Sequence, residues 1–190
     1  MKRSLGIKTI IFPTPVLIVG TYDQEGKANA AACAWGGICC SEPAAVAVSF
    51  RENRHTYAAI LQRKAFTVSI PTEKYMKEAD YFGIFSGKTE DKFSSVGLTP
   101  VKSEIVDAPY VKEFPLVLEC TLLQAVQIGI HTQFIGEIKN VLADESVLNK
   151  DGLPDIKKIN PLVFDPAIRA YFGIGEYLGL AFSAGKKKKA

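Results

Sequence analysis

Histidine is scarce in this chain: among 190 residues there are two, His55 and His131. The four cysteines, Cys33, Cys39, Cys40 and Cys120, form no C-x-x-C pair. These shortages leave no zinc-type ligand spacing, so no metal is expected. A bridge between the neighbours Cys39 and Cys40 would be strained, which makes free thiols in a reducing cytoplasm the expectation. No apolar run nears the roughly 20 residues of a membrane-spanning helix. The body of the chain also lacks surplus charge. Its net +3 rests on Lys186 to Lys189; without them nineteen basic residues face twenty acidic ones. The basic tail, residues 185–190, reads as a solvated end, and no nucleic-acid surface is expected. No Ser-His-Asp order or paired-carboxylate site stands out.

Three tempting motifs also fail. Lys2 and Arg3 before an apolar stretch imitate a signal peptide, but Lys8, Pro13 and Pro15 interrupt it. Residues 1–14 instead read as an extended lead-in to a first strand. Gly83 to Thr89 resembles a phosphate-binding loop, but has three residues between its glycines where four are needed. Gly173 to Gly179 is one residue too long for a dinucleotide fingerprint and sits too near the end for a βαβ unit.

The informative stretch runs from Val16 to Phe50. Val16 to Tyr22 and Lys27 to Trp35 are apolar runs about a polar turn, Asp23-Gln24-Glu25-Gly26, which is a hairpin signal. The second run is mostly alanine, a poor strand former. Strand alternation puts Asn29, Ala31, Cys33 and Trp35 on one face and Ala28, Ala30, Ala32 and Ala34 on the other. Such a strand lets another surface approach its backbone. Asn29 and Trp35 would bracket that surface about 20 Å apart at about 3.3 Å per residue, a length that suits an elongated cofactor. The alternative is a central strand packed tightly under a helix.

Gly36-Gly37 breaks this strand, and Ala45 to Phe50 reads as a buried one. Asn53 is placed to cap a helix whose inward face is Tyr57, Ile60 and Leu61. Exposed N–H groups at that helix start, with Arg51, Arg54, His55 and Thr56 beside them, suit an anion such as a phosphate. Phe66 to Ile70 is a strand, and Thr72 is placed to cap a second helix. A glycine-containing loop follows from Gly83 to Lys92, and residues 94–115 look irregular. Leu116 to Ile128 and His131 to Ala143 read as long strands joined near Gly129. In the first, Glu119 and Thr121 alternate with Leu118, Cys120 and Leu122, which suggests a half-exposed strand. Leu162 to Phe164 and Tyr171-Phe172 are short final strands. Two or three helices among about seven antiparallel strands imply a mainly β (α+β) single domain over residues 1–190: a β-barrel with helical insertions.

Taken in order, Pro15-Val16, Gly26, Asn29, Trp35, Pro43, Val46-Ala47-Val48-Ser49, Arg54-His55-Thr56 and Phe66-Thr67-Val68-Ser69-Ile70-Pro71 resemble the flavin reductase-like proteins, and among them the flavoredoxins. Asp91-Lys92-Phe93, Phe134 to Ile138 and Tyr171-Phe172-Gly173 extend the resemblance over nearly the whole chain. It implies an antiparallel split β-barrel that binds FMN. By that resemblance the FMN phosphate lies near Phe50, Arg51, Arg54, His55 and Thr56, with Ser86 and Lys92 at the same end. The flavin ring lies along Asn29, Ala31 and Trp35, with backbone N–H groups of Ile38, Cys39 and Cys40 at its pyrimidine edge. His131 is implied as a flavin contact, from the second subunit of a homodimer, and as the one possible catalytic side chain. Phe164 is implied as a cover for the ring edge. Relatives that carry a hydroxyl in the second strand differ from this chain, where Ala30, Ala31 and Ala32 offer only backbone donors. The implied activity is an FMN-dependent oxidoreductase, passing electrons from NADH, NADPH or a redox protein to an acceptor. The alternatives are a flavin carrier without turnover of its own, and a structural barrel with no cofactor.

Overall fold

The computed structural model describes residues 1–185, so Lys186 to Lys189 lie outside the described residues. The fold grows from the hairpin. Asp23 Oδ1 accepts hydrogen bonds from the N–H groups of Glu25 (3.0 Å) and Lys27 (2.8 Å). Gly26, at φ +81°, supplies the left-handed residue of the turn. This pairs β2 (Leu17–Tyr22) with β3 (Ala28–Cys33). The strand ends at Cys33, short of Trp35, which sits in a bend before β4 (Gly36–Ser41). The expectation of one regular strand from Asn29 to Trp35 is thereby corrected. Ser49 N donates to Trp35 O at 2.9 Å, so the bend is held by the neighbouring strand.

β4 pairs with β5 (Ala44–Phe50); α1 (His55–Arg63) and β6 (Ala65–Ile70) follow. Next come α2 (Met76–Ile84), α3 (Lys92–Val96), β7 (Pro100–Lys102) and β8 (Pro109–Val111). The long hairpin of β9 (Leu116–Ile128) and β10 (His131–Ala143) has the bounds expected from sequence. α4 (Ile156–Ile159), β11 (Val163–Asp165) and β12 (Ala170–Phe172) complete the described elements, with β1 (Thr14–Pro15) paired to β11. The main sheet has seven antiparallel strands in the order β3-β2-β6-β9-β10-β5-β4. It curls until Cys33 Sγ reaches Ser49 O at 3.6 Å. This is the split barrel.

The β2 run is apolar throughout because both faces are covered. Leu17 and Val19 join Ala31, Cys33, Val46, Val48, Phe66, Val68 and Phe134 inside the barrel. Val16, Ile18 and Ala30 face outward against Ala79 and Phe82 of α2 and Phe93 of α3. The alanines of β3 are therefore what lets α2 lie close: a Cβ on Gly83 would come within 3.3 Å of Ala32 Cβ. Gly136 of β10 makes similar room inside, since a Cβ there would sit 2.7 Å from Phe66 Cε1.

Other expectations change. α1 begins after Arg54, in extended backbone with no side-chain cap, so Asn53 does not cap it. Thr72 precedes a 3₁₀ turn over Glu73–Tyr75 and makes no capping bond. The irregular 94–115 stretch contains the β7–β8 hairpin, and Asp91 caps the short helix α3 by accepting from Ser94 N at 3.3 Å. Glu119 is 1% exposed, contrary to the half-exposed face expected of it. The β7–β8 hairpin lies over the outer faces of β2 and β6, where Thr67, the register partner of Glu119, donates through Oγ1 to Pro109 O at 2.6 Å, so Glu119 stands at the bottom of a cleft beside that hairpin. No helix among the described residues is long and apolar enough to cross a membrane.

Candidate functional site

The start of α1 faces a groove along β3 and β5. With no side-chain cap and no acidic residue in its first turn, this helix end keeps free N–H groups and a positive dipole end. Thr56 in its first turn is 1% exposed, and its Oγ1 accepts from Asn29 Nδ2 at 3.1 Å. A hydroxyl that accepts there still has its hydrogen to donate elsewhere. Asn29 Oδ1 and His55 Nε2 are buried without hydrogen-bond partners. His55 Nε2 lies 3.6 Å from Asp23 Oδ2, beyond hydrogen-bond reach. Gly87 closes over this pair: a Cβ on it would overlap Asn29 Oδ1 and come within 2.9 Å of His55 Cδ2.

Two cations converge on the C-terminal carbonyls of α2. Arg54 Nη1 donates to Gly83 O at 3.2 Å, and Lys92 Nζ to Phe82 O at 3.3 Å. Lys92 is 4% exposed. Burial, and then repulsion from Arg54, pushes its ammonium down to a pKa of about 8. Thr56, Lys92, Ser86 and Gly87 enclose a narrow end of the groove, about 20 Å³, walled by Ala31 and Phe82. Ala32, Phe50 and Arg54 continue into a wider cleft of about 370 Å³ lined by Trp35, Ser49, Arg51, Asn53 and His131. The groove is thus one passage with a small, donor-rich, cationic end and a broad end.

The structure brings Ala31, Trp35, Phe50, Arg51, Arg54, His55, Thr56, Ser86, Lys92 and His131 of one chain to this groove. Asn29 lies beneath its narrow end, bonded to Thr56, and not along the broad end beside Trp35. Ile38, Cys39 and Cys40 do not line the groove; they are exposed on the edge strand β4. Phe164 packs in the outer core, its ring 5.7 Å from that of Tyr171. Ala32, Ser49, Asn53, Phe82, Phe85 and Gly87 line the groove without having been expected. Strand alternation hides Ala32, since it is assigned to the face opposite Ala31; a glycine in an otherwise polar loop was the one available signal for Gly87. Among the described residues no cluster of three metal-ligating side chains occurs.

The donor set suits a phosphate monoester: a buried ammonium, a free hydroxyl hydrogen, helix N–H groups and the unpartnered His55 Nε2, which donates in the tautomer that carries its hydrogen there. The broad end, with Trp35 at its rim, has room for a planar ring system. A flavin mononucleotide therefore fits the residues present.

Comparison with known proteins agrees with this geometry. The model of the flavin reductase like domain matches residues 9–171. Flavoredoxin of Desulfovibrio vulgaris (Miyazaki F) is 54% identical, with a TM-score of 0.95 over 98% of this chain and 100% of that one. Flavoredoxin from Methanosarcina acetivorans is 30% identical, with a TM-score of 0.88 over 98% and 97%. An uncharacterized protein of Archaeoglobus fulgidus is 34% identical across 68% of this chain and 72% of its own length. The fold is that of the split-barrel flavin proteins, and the chain belongs to the flavin reductase-like family.

Proposed function

We propose that this chain holds FMN along the groove and works as a flavoredoxin-like electron-transfer oxidoreductase. The observation that supports it most is the narrow end, where a 4%-exposed lysine and a 1%-exposed threonine face a passage that widens to about 370 Å³. Two solved relatives that span the chain are flavoredoxins.

The bound flavin would supply the electron-accepting and electron-donating chemistry. Lys92, Thr56 and the first N–H groups of α1 hold the phosphate, and Asn29 fixes the Thr56 hydroxyl so that its hydrogen points away from β3. Gly87 lets the Ser86–Lys88 backbone close this end. Trp35 and Phe50 exclude water from the ring, and Arg51, Arg54 and His131 put positive charge and donors at its broad end. The open broad end admits the electron donor, NADH, NADPH or a redox protein, and then the acceptor. The working unit is a homodimer, for which the exposed Leu123, Ile128 and Ile130 at the β9–β10 end provide apolar surface. Its setting is the cytoplasm, where Cys39 and Cys40 stay as thiols.

The test is a visible spectrum of the purified protein, repeated after adding FMN, desalting, and adding NADH or NADPH. Retained flavin bands that bleach with the nucleotide are expected. Bands that stay unbleached point to a protein donor or to a flavin carrier without turnover of its own, and loss of all flavin on desalting overturns the tight-site reading.

A further inference from the structure

We propose that a second cleft, between the β7–β8 hairpin and the outer faces of β9 and β10, binds a small primary-ammonium cation with an apolar body, held by the Glu119 carboxylate. The cleft measures about 330 Å³ and shares no lining residue with the flavin groove. That volume stands at the lower end of the roughly 300–1,000 Å³ usual for small-molecule sites.

Glu119 forms its floor and is 1% exposed. A carboxylate taken this far out of water is costly unless a cation or several donors meet it. Here Oε2 accepts one hydrogen bond, from Asn140 Nδ2 at 2.7 Å. Oε1 has no hydrogen-bond partner among the described residues, and no lysine or arginine nitrogen of those residues comes within 4.0 Å of the carboxylate. Asn140 thus fixes the carboxylate and leaves one oxygen for a ligand. A guanidinium prefers both oxygens in a parallel pair and would have to share Oε2 with Asn140, whereas a compact ammonium needs only Oε1. Val101, Ile105 and Leu142 supply apolar walls for the carbon body of such a ligand. Lys102 also lines the cleft, so its ammonium is the competing occupant.

The probe is n-butylammonium, titrated calorimetrically into the full-length protein at fixed ionic strength, with n-butanol as its neutral counterpart. Saturable binding of the amine and none of the alcohol is expected. Glu119→Gln should weaken the amine about tenfold or more, as loss of a charged hydrogen-bond partner does. Ile105→Trp, at a residue 56% exposed, should block the cleft without touching the carboxylate. FMN titration of both variants should match the parent, which shows that the barrel is intact. Equal binding of amine and alcohol overturns the proposal, as does amine binding that survives both substitutions. Amine binding seen only in Lys102→Gln also overturns it, because the chain's own lysine then fills the site.

Discussion

The two ends of the groove are built differently. At the narrow end Asn29, Thr56 and Lys92 are all at most 4% exposed, and each is held by a bond to the protein. At the broad end Trp35 is 36% exposed, and Arg51 and Asn53 are exposed at the rim. A preorganised end fixes a charged group with little ordering cost on binding. An open end admits reaction partners of different shapes. The lesson is a division of labour: the narrow end anchors, and the broad end exchanges. Substitutions at the first should change affinity, and those at the second should change spectrum and access.

The strongest challenge to that division is Lys92→Met. It should weaken FMN about 10- to 100-fold while leaving phosphate-free riboflavin nearly unchanged, because a charge-assisted bond contributes about 1.5–3 kcal/mol. Fluorescence titration with both ligands reads this directly, and equal losses would dissolve the distinction between the ends. Gly87→Ala should follow at about tenfold, since its Cβ would press on Asn29 and His55 and distort the closed loop. Asn29→Ala should weaken FMN by about fivefold through the freed Thr56 hydroxyl.

Proton linkage sharpens the same comparison. Lys92 in the ligand-free protein titrates near pH 8, below its ordinary 10.5. A bound phosphate favours the ammonium and raises that value. FMN affinity should therefore fall as pH rises above about 8, by up to about tenfold per unit, while riboflavin affinity stays flat. The ligand-free fold should gain stability between about pH 8 and 10.5, where the unfolded chain holds the proton and the folded one has released it. Lys92→Met should remove both trends. The smallest effect belongs to Trp35→Ala at the rim: a shifted flavin spectrum with affinity changed by less than about threefold, as for an exposed contact.

Much of the barrel was legible because its signals are local. Gly129 between two alternating runs specifies the β9–β10 hairpin, and Asp23 with Gly26 specifies the turn before β3. The cluster from Arg51 to Thr56 was legible because these residues are consecutive in the chain, in the turn that leads into α1 and in its first turn. Asn53 misled because a good cap and a groove-lining side chain look alike in sequence; here it lines the groove. Phe164 packs against the outer core, a place that sequence alone could not separate from a ring cover, because an aromatic near the end of the chain fits both equally well.

The amino-acid order by itself determined the strand periodicity, the near-neutral charge balance of the body and the cationic stretch after β5, since these are read from composition and from neighbours within a few residues. Tertiary structure alone decided that Asn29 serves Thr56, that Gly87 closes over Asn29 and His55, and that Glu119 is buried at the bottom of a cleft beside the hairpin formed by Pro100–Lys102 and Pro109–Val111. Those outcomes depend on which surfaces meet across the curled sheet. Desolvation and hydrogen-bond partners are set by that meeting, and residue order specifies it only through the whole fold.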